Sequence, residues 1–450
     1  MKKHVWKKIV APMLAGAMLL STAACSGATT ASSTGAASTA ASTTGNAKGG
    51  YNISFMIGQS TYKEAAFTKI KEKMLKEKNI TLNFEVVPDS QGTNLLQTKL
   101  ATGEVPDVVW LNIPESYTMY DATKNFVALD DQPWVKRMTL KPSDIQHTDG
   151  KIYGMPVTGF SGVMGAIYNK TVFKELGLQV PKTYAEFLKV LDTVKNSGKN
   201  ITPLYISGKD SWTVQIAPMI FMANALDSKA DSTYKDLLNN KTKFSTIPEF
   251  TTGLKAFQDL FTKGYTNKDF AVATYDNSKQ AVATGKAAML ISGEYAVTDM
   301  ISKWPKADIG MFPVPYADKD KILTSKYVFG LSVPKASKNA KNAVDFLNIL
   351  SQPDYMEIYL NENPMNSPFK DVESKNINPI LKDMYTRYFD TNKLVPQVSD
   401  MLNSFGSVNN DVFFSVYTQV AQGGDVNEAA TQMDDAMQEY GKKMGVKAYQ

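Results

Sequence analysis

Residues 52–57, Asn52-Ile53-Ser54-Phe55-Met56-Ile57, alternate polar and apolar with the period of two that marks a strand. Ala66, Phe67, Ile70, Met74 and Leu75 then share one face of a helix, while Lys63, Lys69, Lys71, Glu72, Lys73 and Lys76 lie largely elsewhere. That lysine-rich run reads as a solvated face. Residues 80–87 alternate again, a second helix spans about 93–101 and stops at Gly103, and 106–111 is a short buried strand. Strand, helix, strand, helix, strand with short connections predicts right-handed crossovers in a mainly parallel sheet. Ligands of such sheets bind at the carboxyl ends of strands. Gln59-Ser60-Thr61 and Asn112-Ile113-Pro114-Glu115 therefore fall at the mouth of a possible site.

Further along, 150–156 reads as a hairpin feeding a loop, 166–170 as a strand, and 184–195 as a helix opened by Pro181 and Thr183. The stretch 213–225 is almost wholly apolar and predicts a buried helix. Residues 250–263 are amphipathic, with Leu254, Phe257, Leu260 and Phe261 on one face. A strand at 287–292 stops at Gly293-Glu294-Tyr295; another at 328–333 precedes a helix over 339–350. The last third is mainly helical and ends on an amphipathic helix near 427–440.

Composition narrows the chemistry. The 450 residues suit two or three domains, and the single cysteine, Cys25, excludes an intrachain disulfide or a cysteine-built metal site. Only His4 and His147 are available for imidazole chemistry, and His147 sits in a polar turn without a Gly-x-Ser-x-Gly motif. Lys2, Lys3, Lys7 and Lys8 precede an uncharged stretch from 9 to 24, shorter than the ~20 apolar residues of a spanning helix. Small residues and then Cys25 follow, which resembles a bacterial lipoprotein signal in which Cys25 is lipidated, although Thr22 stands where such signals usually carry leucine. Removal of 1–24 takes four lysines away and lowers the formal charge from +5 to +1, leaving nucleic-acid binding without an electrostatic motive. Within 26–50, 23 of 25 residues are Ser, Thr, Ala or Gly, too polar and small to fold alone, so 25–50 reads as a tether. As a coil it would span ~25–30 Å.

Five segments, in order, carry a family resemblance. They are Leu100-Ala101-Thr102-Gly103-Glu104-Val105-Pro106-Asp107-Val108-Val109; Gly150-Lys151-Ile152-Tyr153-Gly154-Met155-Pro156 with Ile167-Tyr168-Asn169-Lys170 and Pro181-Lys182-Thr183-Tyr184; Thr284 to Tyr295; Phe329 to Lys338; and Gln422-Gly423-Gly424-Asp425-Val426-Asn427-Glu428-Ala429. Together, over roughly 51–450, they resemble the extracellular solute-binding proteins of bacterial ABC importers, in the sugar-binding group that includes the maltose-binding protein.

The resemblance implies an α/β fold of two lobes with a ligand cleft between them, each lobe a mainly parallel sheet flanked by helices. Lobe one would hold 51–157 and 328–364, and lobe two 158–327 and 365–450, the chain crossing about three times. It implies capture of a carbohydrate by hinge closure, delivery to permease subunits, attachment to the outer face of the cell membrane through lipid, a monomeric state, and no cofactor, metal or catalytic residue. A neutral sugar needs aromatic faces for its C–H patches and amides or carboxylates for its hydroxyls. Positions of that character which the resemblance carries to the cleft are Gln59, Asn112, Glu115, Phe160, Asp210, Trp212, Glu294, Tyr295, Tyr327 and Asn366. Trp110 reads as core packing, Trp134 and Trp304 as loop anchors, and Glu294 equally as the cap of a following helix.

Two rivals remain at this point. A secreted carbohydrate-active enzyme would need two carboxylates ~5–9.5 Å apart, for which Asp210, Glu115 and Glu294 are the candidates. The same fold could instead take a peptide, polyamine or organic anion, but Arg137 and Arg387, the only arginines, lie away from the cleft candidates.

Overall fold

The computed structural model describes residues 50–159, 162–325 and 328–450. The signal, Cys25 and the tether up to residue 49 lie outside the described residues, as do Phe160 and Tyr327.

Two sheets organise the chain. The first contains β1 (Tyr51–Gly58), β2 (Ile80–Val87), β3 (Val108–Ile113), β4 (Met155–Pro156) and β10 (Val328–Ser332), in the order β2-β1-β3-β10-β4. β1 runs parallel to β2 in unbroken register from Tyr51–Ile80 to Gly58–Val87, and parallel to β3. The second sheet contains β5 (Val163–Asn169), β6 (Thr202–Leu204), β7 (Ala287–Gly293), β8 (Ile309–Phe312), β9 (Ile322–Thr324) and β11 (Leu394–Pro396). These six run in the order β11-β9-β5-β7-β6, with β8 also on β5.

The expected lobes are α/β, but their sheets are mixed where parallel pairing was predicted. β10 is antiparallel to both β3 and β4, and β5 is antiparallel to β7, β8 and β9. The reason is topological. A helical crossover within one lobe enforces parallel pairing, whereas β5 and β10 arrive from the other lobe and are free of that constraint.

Separate hydrophobic cores surround the sheets. Ile53, Phe55, Phe67, Trp134, Leu331, Phe346 and their neighbours fill the first, which also takes in Phe369 and Val372. Phe187, Phe221, Phe250, Phe257, Tyr417 and Met433 belong to the main core of the second lobe. The predicted helix over 184–195 forms at Tyr184–Lys195, opened by the Thr183 hydroxyl accepting the Glu186 N–H at 3.2 Å. The apolar run becomes the buried helix Ile216–Leu226. One packing expectation fails: Leu75 is 49% exposed, because Ala66, Phe67, Ile70 and Met74 already fill the buried stripe of Glu64–Lys78. His147, in its polar turn, packs edge-on against Tyr117 and Tyr153.

Three connecting segments lie side by side between the lobes. The Val157 N–H donates to the Phe329 carbonyl at 2.8 Å, the Ser325 N–H to that of Gly162 at 3.0 Å, and the Gly159 N–H to that of Asn366 at 2.6 Å. Gly162 has φ +133°, and a Cβ there would lie 2.7 Å from the Ser325 Cβ, so this contact requires glycine. Short segments that cross side by side between two lobes are the usual form of a hinge. Among the described residues no helix is long and apolar enough to cross a membrane.

Candidate functional site

The carboxyl ends of β1 and β3 open into a cleft of about 340 Å³ whose opposite wall comes from the second lobe. That volume falls in the range of small-ligand sites, about 300–1,000 Å³. On the first side stand Ser60, Thr61, Lys63, Asp89, Trp110, Asn112, Glu115 and Tyr359. Trp212, Gln215, Tyr275, Tyr295, Asp299, Asn409 and Asn410 face them.

Aromatic groups line both walls. On the second lobe the Trp212 ring meets Tyr275 at a centroid distance of 5.0 Å and Tyr295 at 6.0 Å. On the first, Trp110 lies 5.6 Å from Phe329 and 5.9 Å from Tyr359, whose hydroxyl accepts from the Asn363 amide at 3.1 Å. Such rings offer apolar faces in fixed orientation, and the amides of Asn112, Gln215, Asn409 and Asn410 supply donors and acceptors beside them.

Of the ten positions carried over from sequence, the cleft brings together Asn112, Glu115, Trp212 and Tyr295. Gln59 is exposed and outside the lining, its N–H spent on the Val87 carbonyl. Asp210 stands one step behind the wall: its Oδ2 accepts the Tyr275 N–H at 2.6 Å and thereby positions that ring. Glu294 opens the helix Glu294–Lys303, is 1% exposed, and accepts the Tyr385 hydroxyl at 2.7 Å away from the cleft. Asn366 contributes a backbone carbonyl to the hinge and is not among the lining residues. Phe160 and Tyr327 lie outside the described residues.

Sequence reading also missed residues. Trp110, read as core, lines the cleft; the signal was there, since it shares with Asn112 one face of β3 by the period of two. Lys63, read as part of a solvated face, is turned into the cleft. Tyr275, Asp299 and Asn409 come from distant helices, and no local pattern marks them.

The carboxyls of the enzyme reading are scattered, with only Glu115 reaching the cleft among the three candidates. Among the described residues no group of three or more His, Cys, Asp or Glu side chains is placed to hold a metal. Burial, with the charge of Asp400 adding to it, pushes the Glu115 carboxyl up to about 8. Burial likewise pushes Glu294 up to about 7. A carboxyl with a folded pKa above its unfolded value binds more protons in the folded state. Its contribution is present in full at low pH and is lost as pH rises through the folded value. The protein is therefore expected to lose stability from about pH 5 to about pH 8.5, and Glu115→Gln to flatten part of that fall, raising Tm at the alkaline end by roughly 2–4 °C. Differential scanning fluorimetry across that range checks it; an unchanged slope would mean that Glu115 ionises as it does in water.

The family described as bacterial extracellular solute-binding protein matches residues 57–357. The multiple sugar-binding protein of Streptococcus mutans is 27% identical over 331 residues, which cover 70% of this chain and 76% of that one. In fold, the chain is similar to RafE in complex with raffinose (TM-score 0.72, 23% identity, 87% and 99% of the two chains). It is equally similar to a chitin oligosaccharide binding protein (TM-score 0.74, 20% identity, 87% and 99%).

Proposed function

Because the chain belongs to the bacterial extracellular solute-binding proteins, we propose that it captures a neutral oligosaccharide and delivers it unaltered to an ABC permease. The observation that carries this reading is the pair of aromatic walls, Trp110 with Tyr359 on one lobe and Trp212 with Tyr275 and Tyr295 on the other, with amides between them. A pyranose presents two C–H faces and a rim of hydroxyls. Stacking would serve the faces, and Asn112, Gln215, Asn409 and Asn410 the rim. The name of the streptococcal relative supports a sugar as the solute.

Closure would turn one lobe onto the other about the three hinge segments. We place 51–157 and 328–372 in lobe one and 158–327 and 373–450 in lobe two, moving the expected boundary after 364 past Val372 because Phe369 and Val372 pack with the first sheet. Residues 1–24 would be a signal, Cys25 the lipid attachment and 25–50 the tether of a monomer at the extracellular face of the cell membrane.

The test is a panel of neutral mono- and oligosaccharides, including raffinose, stachyose and chitin oligomers, read by isothermal titration and thermal shift. At 100 times its dissociation constant a true ligand is expected to stabilise the fold by ~2.7 kcal/mol. Absence of heat and of shift across the whole panel would remove the sugar assignment.

A further inference from the structure

Lys63 precedes the helix Glu64–Lys78 of the first lobe, and Asp299 lies within the helix Glu294–Lys303 of the second. Their side chains meet across the cleft as an ion pair between Nζ and Oδ1. Among the described residues it is the only ion pair joining the two lobes over the site, and it is nearly dry, the side chains being 18% and 10% exposed. The arrangement is asymmetric. The other oxygen of Asp299, Oδ2, accepts from Lys279 at 2.6 Å, and Lys279 is fully buried, with Asp276 at 2.8 Å and the Tyr275 ring centroid at 4.1 Å. The second lobe thus holds Asp299 in place by its own charge partner and turns one carboxylate oxygen outward. On the first lobe, Lys63 otherwise donates to the Ser60 carbonyl at 3.1 Å.

Burial would raise the Asp299 carboxyl, but Lys63 and Lys279 outweigh it and hold the group below the usual carboxylate range, so it stays ionised. A charge pair shielded from water in this way is weakly screened by salt.

We propose that Lys63 and Asp299 form a latch that sets the fraction of protein in the closed, binding-competent form, with Lys279 as the positioning residue that aims Asp299 across the cleft. The latch rests on the hinge-closure reading above. It makes these residues determinants of affinity without requiring contact with the solute, because apparent affinity scales with the competent fraction.

Lys63→Met is the discriminating variant, since it removes the latch and leaves Asp299 paired with Lys279. In the full chain carrying Cys25→Ser, spin labels at the exposed positions Lys76→Cys and Lys306→Cys report the distance between lobes. Before any sugar is added, the short-distance population is expected to fall at least threefold on Lys63→Met, to return with Lys63→Arg, and to fall again on Asp299→Asn. Sugar affinity is expected to weaken by the same factor. Distance distributions that are the same with and without Lys63 overturn the latch, as does a wild-type protein with no short-distance population. A protein that binds no sugar yet opens on Lys63→Met keeps the latch and removes the sugar reading.

Discussion

Replacement of Trp212 by alanine is expected to weaken oligosaccharide binding by roughly 30- to 100-fold, the loss of about 2–2.7 kcal/mol typical of a central aromatic anchor. The indole stands on the short turn Ser211–Thr213. That turn is fixed from below: the Thr213 hydroxyl donates to the Ser207 carbonyl at 2.6 Å, and the Thr213 N–H to that of Asp210 at 2.9 Å. Tyr275 packs against the ring in a T-shaped arrangement and Tyr295 lies tilted against it. A platform already held in this way loses little freedom when a sugar stacks on it, so most of the contact energy reaches the affinity. Trp212 is only partly buried, packed against the edge of two hydrophobic clusters of its lobe. Trp212→Phe is expected to retain most of the binding. Isothermal titration decides; a loss below threefold would show that the sugar does not rest on this wall.

The largest stability effect is expected behind the same wall. Lys279→Met should lower the unfolding free energy by about 3–5 kcal/mol, the cost of removing one member of a buried charge network. Lys279 has no exposed surface and neutralises Asp299 and Asp276 together, and its ammonium lies over the Tyr275 ring. Without it, Asp299 keeps only Lys63 and Asp276 only Lys303. The exposed pair Lys255–Asp259 makes the contrast: its salt bridge is as short, at 2.6 Å, but it sits in water on one helix, where such pairs contribute ~0.3–0.5 kcal/mol. Urea unfolding of Lys279→Met beside Lys255→Met separates the two cases. Similar midpoints for both variants would show that the buried cluster is no more than a surface pair.

Neither Lys279 nor its helix Tyr275–Ala283 stands out in the sequence, where Tyr275-Asp276-Asn277-Ser278-Lys279 reads as a polar stretch. Local order was far easier to read. β2 occupies the predicted 80–87, and Tyr184–Lys195 the predicted helix, because in both the burial pattern repeats within a few residues. The Pro106 to Leu111 stretch correctly announced a buried strand, displaced by two residues, with Asn112 and Glu115 beyond it at the cleft. Trp110 was legible in principle from its two-residue spacing to Asn112, yet a tryptophan amid Val108, Val109 and Leu111 reads equally well as core.

The amino-acid order by itself determined the periodicities of strand and helix, the exclusions that follow from one cysteine and two histidines, and the ordered motifs of an extracellular solute-binding protein. These are properties of neighbouring residues or of counts. Tertiary structure alone decided which polar groups face the cleft. It turned Lys63 from an apparent solvated face toward Asp299, 236 residues away, withdrew Glu294 to Tyr385, and set Asp210 behind Tyr275. It also made the sheets mixed, because strands arriving from the other lobe are free of the parallel direction that a helical crossover gives to successive strands. A buried charge is tolerated only where a partner meets it, and when that partner comes from another lobe no local pattern records it.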